Sequence, residues 1–161
     1  MLLPMMRGRI QTAQAGLLDI LGALLTNVDT ADAIWDKRPD AERFTLREVV
    51  AHLADYELIW NERISRARDE DNPQLTPSNP TQLAIDNNYA AIDPAVSLRA
   101  IRDRRPVLVG ILHDLPDADW QRSARWGDAG PLTIEEMAAF IVVHDGYHTS
   151  QIAQWLRILR G

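Results

Sequence analysis

The chain has 161 residues, 46% hydrophobic and 25% charged, which suits one soluble globular domain over 1–161 with a sizeable core. Its net charge of −6, from 17 basic and 23 acidic residues, argues against nucleic-acid binding, because phosphate neutralisation supplies most of that affinity. Cysteine is absent, so disulfides, thiolate metal sites and a protein thiol nucleophile are excluded. In chain order, Met1–Met6 is broken by Pro4 and lacks a basic start, so no signal peptide is expected. No apolar run approaches membrane-spanning length, which makes a cytoplasmic protein without a membrane partner the expectation. From about Met5 to Val28 the apolar spacing predicts a helix with Leu17, Leu18, Leu21, Leu24 and Leu25 on its face. A connection with Trp35 and Pro39 follows. Thr45 with Glu48 forms a capping box and opens a second helix to about Arg68, with Val49, His52, Tyr56, Ile59, Trp60 and Arg63 on its stripe. Pro73, Pro77 and Pro80 mark a structureless stretch, and a short helical piece is expected over 81–91. Asp93-Pro94 starts a third long helix, in which Pro106 predicts a kink or break. Residues 115–132 read as a loop with Trp120 and Trp126. Thr133 with Glu136 is a second capping box, opening the fourth long helix to about Leu159.

Four long helices and no convincing strand predict an all-α four-helix bundle. The connections before the second and fourth long helices exceed the two to eight residues or so usual in bundles, so a simple up-down-up-down order is not assumed.

The last helix carries His144-Asp145-Gly146-Tyr147-His148, followed by Gln151-Ile152. At 3.6 residues per turn or so, His144 and His148 stack on one face, with room for one metal ion between their rings. They share a stripe with Met137, Phe140, Ile141, Tyr147, Gln151, Ile152 and Trp155, which points them at the core. Two buried neutral imidazoles would each need partners, so core histidines satisfied by hydrogen bonds and a metal site are both open readings. Of the 4 histidines, His113 ends the third long helix and reads as a surface residue. His52 lies mid-stripe on the second. Two ligands from one helix and one from another, with a position left open, is a common arrangement for catalytic zinc.

With Phe44-Thr45-Leu46-Arg47-Glu48-Val49, Ala51-His52-Leu53-Ala54-Asp55, Thr133-Ile134-Glu135-Glu136 and His144-Asp145-Gly146-Tyr147-His148 in this order, the sequence resembles the DinB-like superfamily over nearly its whole length. That superfamily includes transferases that use bacillithiol or mycothiol. The resemblance implies a four-helix bundle, often dimeric, holding a divalent metal on three histidines, which by position are His52, His144 and His148. Zinc or nickel is the first expectation, and iron or manganese also accept imidazole and water. Asp55, one turn beyond His52, is a candidate acceptor for a ligand's second ring N–H, against the alternative of a solvated residue paired with a cation. Tyr56, Tyr147 and Gln151 are candidates for the pocket.

The expected activity is metal-dependent transfer of a low-molecular-weight thiol to a small electrophile. The thiol would enter as cosubstrate, consistent with the lack of cysteine. Hydrolysis of a small amide or ester and a non-catalytic metal-binding role in stress response are the alternatives. The HDxxH spelling differs from the protease helix HExxH, and no His, Asp or Glu follows His148 to complete such a site. A di-iron carboxylate site is disfavoured because no Glu-x-x-His pair occurs. Ala139, Val142, Val143, Gly146, Ser150 and Ala153 form a second uncharged face on the last helix. Another helix of the same chain or a second copy must cover it, and the resemblance favours a homodimer.

Overall fold

The computed structural model describes Leu2 and residues 4–160; Met1, Leu3 and Gly161, and with them part of the Met1–Met6 reading, lie outside the described residues. Five α-helices form among the described residues: α1 (Pro4–Leu25), α2 (Leu46–Asp69), the short α3 (Pro80–Asp86), α4 (Pro94–His113) and α5 (Ile134–Arg160). Their starts follow local chemistry. Thr45 Oγ1 accepts from the Glu48 N–H at 3.2 Å, and the Glu48 carboxylate accepts from the Thr45 N–H at 2.7 Å. Thr133 and Glu136 repeat the exchange at 3.1 and 2.8 Å, and Asp93 caps α4 by accepting from Ala95 N–H at 2.8 Å.

Both α1 and α2 pack against α4 and α5. The consecutive long helices α1 and α2 therefore sit across a diagonal, as do α4 and α5. The long connections 26–45 and 114–133 cross the bundle, a departure from simple up-down order that their length had left open.

Two apolar clusters fill the interior. One joins Leu17, Leu21, Trp35, Val49, Leu53, Ile101 and Trp155; the other joins Trp60, Ile64, Leu108, Leu112, Ile134 and Ile141. On α2 the first cluster ends at Ala54 and the second begins at Tyr56; on α5 the second ends at Ile141 and the first resumes at Ile152. His52, His144 and His148 fall at this seam. No helix among the described residues is long and apolar enough to cross a membrane.

The sequence reading left out a small sheet. Strands β1 (Gln74–Leu75), β2 (Ser123–Trp126) and β3 (Pro131–Thr133) pair in the order β1-β2-β3, parallel then antiparallel, with Gln74 opposite Arg125 and Ala124 opposite Leu132. Such short strands carry no readable alternation. The turn between β2 and β3 uses Gly127 at φ 51° and Gly130 at φ 93°, and a Cβ on Gly127 would meet Pro77 Cγ at 2.8 Å. Helix α4 also runs unbroken through Pro106. Pro106 and Arg102 both lie on its exposed side, where water can satisfy the carbonyl that lost its N–H partner.

Candidate metal centre

Helix α2 brings His52, and α5 brings His144 and His148, to one point. Each histidine offers a ring nitrogen, and the three atoms lie within 4.8 Å of one another. His52 Nε2 is 3.1 Å from His144 Nε2. Burial, reinforced by the two neighbouring imidazoles, pushes the pKa of His52 down to about 2; burial together with His144 takes His148 down to about 4. Two neutral imidazoles facing through Nε2 can share only one proton, whereas a cation can take both lone pairs. The donor set therefore fits a divalent ion, and three imidazole nitrogens leave further positions on it open to a ligand.

The rings are held from outside. His148 Nδ1 is 3.2 Å from Gln151 Oε1, which leaves Nε2 of His148 for the cluster. Gln151 in turn donates to the Phe44 carbonyl at 3.3 Å. His144 stacks on Tyr56 with ring centroids 4.6 Å apart and an interplanar angle of 21°. Its Nδ1 lies 3.4 Å from Asp145 Oδ1. The other oxygen of Asp145 accepts from Arg105 Nη1 at 2.7 Å, and Arg105 Nε donates to Glu57 Oε1 at 2.9 Å. This buried chain of charges ties α2, α4 and α5 together behind His144. Burial raises Glu57 to about 7, with the neighbouring Arg105 opposing the shift and Asp145 adding to it. His52 Nδ1 is buried without a partner.

The histidines open onto a cavity of about 290 Å³ whose other lining residues include Arg43, Phe44, Tyr56, Tyr147 and Gln151. Tyr147 stands at the rim, 57% exposed, and Phe140 is likewise exposed although both share the core stripe of α5. Asp55 is not brought to the histidines: its Oδ2 accepts from Asn87 at 2.6 Å and from the Tyr89 hydroxyl at 2.8 Å. His113 is on the surface beside Asp114. Arg105, Glu57 and Arg43 escaped the sequence reading. The first two had a signal: Arg105 lies four residues after Ile101 and three before Leu108, and Glu57 three before Trp60, both charges at core spacing.

The model of the DinB superfamily matches residues 9–152, with both histidine segments inside the match. The chain belongs to the DinB superfamily. The same fold is found in a solved structure: YfiT from Bacillus subtilis, described provisionally as a metal-dependent hydrolase with an unusual four-helix bundle topology, superposes with a TM-score of 0.90. That match covers 99% of this chain and 90% of YfiT at 19% identity, and so speaks to the fold. A curated relative from Oceanobacillus iheyensis, provisionally named a metal-dependent hydrolase, is 26% identical over 109 residues. The matched segment is 68% of this chain but only 63% of that relative's length.

Proposed function

We propose that the chain binds one divalent metal ion through His52, His144 and His148 and works as an enzyme on a small molecule held in the adjoining cavity. The observation carrying this reading is the meeting of three ring nitrogens from two helices on the lining of that cavity. A divalent ion so held supplies Lewis acidity, which makes a thiol or a water nucleophilic at neutral pH. Gln151 fixes the tautomer of His148, Asp145 orients His144, and the Tyr56 ring limits how far His144 can turn. Phe44 and Tyr56 supply apolar wall against which an electrophile can lie.

The reaction we favour is transfer of a low-molecular-weight thiol to a carbon electrophile, in a single-domain protein. Hydrolysis usually recruits a carboxylate as general base beside the metal. Here Asp145 is committed to Arg105 and His144, and the one carboxylate lining the cavity, Glu42, is exposed at its edge. A thiol, with an unperturbed pKa near 8.5, needs less help than water. Hydrolysis is the second reading, supported by the provisional names of the two relatives. Incubating metal-loaded protein with a panel of small thiols and a generic electrophile, and separately with small esters and amides, tests the choice. Metal-dependent thiol consumption supports transfer; ester or amide cleavage without thiol supports hydrolysis; neither leaves a binding protein.

We also propose a homodimer through the outer face of α5. Phe140, Val143 and Tyr147 are exposed there, and neither α1 nor α4 covers Gly146 or Ser150. A Cβ at Gly146 meets nothing within 4 Å, so Gly146→Arg is tolerated within one chain. Light scattering of that variant should report a folded 18.2 kDa monomer. A dimer that persists overturns this contact.

A further inference from the structure

Among the described residues, one cationic side chain shares the cavity with the three histidines and makes no salt bridge. Arg43 lines that cavity, and its guanidinium lies over the Trp155 ring at 4.3 Å. Nη1 donates to Gln154 Oε1 at 2.9 Å, which together with the stacking fixes the plane of the group. Nε–H is buried without a hydrogen-bond partner, and Nη2 makes no hydrogen bond to any described residue. Nε has no surface open to a ligand, so Nη2 is the donor left to one, and a charged N–H donor suits a carboxylate oxygen. A cationic donor left unused on a group held by stacking and by Gln154 marks a place where a ligand's oxygen completes the hydrogen bonding. Other arginines near the histidines are already matched: Arg105 to Glu57 and Asp145, and Arg63 to Thr76 O and Ser78 Oγ.

We infer that the cavity takes a small organic anion, its carboxylate on Nη2 of Arg43 and its reacting group towards the three histidines. This assignment rests on the proposed site and names the substrate class for it. The cavity's 290 Å³ or so suits a molecule of a few carbons rather than a peptide. Besides the walls of Phe44, Tyr56 and Pro80, the histidines and Gln151, the lining holds Thr81 and the exposed Glu42, which leaves Arg43 as its cationic anchor.

The test compares matched acids and amides by calorimetry on the metal-loaded protein. Mercaptopropionate and mercaptopropionamide differ in charge but share the thiol. Glutarate and glutaramide make the same comparison without one. The acid of each pair should bind about tenfold or more tightly than its amide, the scale of a charge-assisted contact. Arg43→Gln should bring each ratio to within about twofold while leaving the amides, the metal content and the helical circular dichroism unchanged. Arg43→Lys, which keeps the charge but loses the planar group stacked on Trp155, should retain only a partial preference. Equal affinity for acid and amide in the unaltered protein, or a preference that survives Arg43→Gln, overturns the assignment. If neither thiol binds, the thiol-transfer reading fails, and the glutarate pair still decides the role of Arg43.

Discussion

Arg105 Nη1 sits 2.7 Å from Asp145 Oδ2, with both side chains almost wholly inside the bundle. Arg105 also holds Glu57, so one guanidinium neutralises a carboxylate from each neighbouring helix. Removing the cation strands two buried acids. Arg105→Leu should therefore cost about 3–5 kcal/mol of stability, measured by urea unfolding of the metal-free protein. A loss under about 1 kcal/mol would mean that water reaches these groups.

Gln151 bridges His148 Nδ1 and the Phe44 carbonyl. Gln151→Leu keeps the bulk of the side chain and removes both contacts. Outer partners of this kind tune metal affinity by about 10- to 100-fold. Competition with a chromophoric chelator should show a loss of that order with the helices intact. Unchanged affinity would show that His148 needs no such orientation.

The N-terminus of α2, two turns before His52, depends on Thr45. Thr45→Ala leaves the Glu48 N–H without its side-chain acceptor and should cost about 0.5–2 kcal/mol by chemical denaturation. A neutral result would place the start of the helix under tertiary control.

How far the sequence reached depends on the physics of each feature. The capping boxes at Thr45 and Thr133 are local, so both helix starts were legible from residue type and spacing. The histidine pair on α5 was legible for the same reason, since positions four apart share a face. His52 was placed with them by its stripe and by resemblance, because nothing local says which helices will touch. Asp55 looked equally suited by spacing to orient a histidine. It pairs instead with Asn87 and Tyr89, contacts made across a turn that periodicity does not describe. Strands of two to four residues, such as β1 and β2, exist through pairing alone and left no pattern to read. Phe140 and Tyr147 fit the apolar stripe yet lie exposed, since a stripe does not show where a neighbouring helix ends.

Acid should destabilise the metal-free protein. His52 and His148 have folded pKa values of about 2 and about 4, below the ordinary 6.5, so the unfolded chain binds their protons first. Their contribution is complete above pH 6.5 or so and is lost as the pH falls towards those folded values. Glu57 runs the other way: raised from 4.5 to about 7, it takes up its proton in the folded state and offsets one of the two between those values. The net loss between about pH 6 and 5 should be about 1.4 kcal/mol per pH unit, read from urea midpoints. Stability that rises on acidification across this range would show the histidines to be charged in the folded protein.

Metal content of the purified protein tests the central claim most directly. Loaded with zinc or nickel, desalted at neutral pH and measured by elemental analysis, it should retain about one divalent ion per chain. His52→Ala and His148→Ala should each abolish retention, while His113→Ala, on the exposed end of α4, should not change it. A protein that leaves the column metal-free, or that keeps its ion in both the His52 and His148 variants, would contradict a three-histidine metal centre.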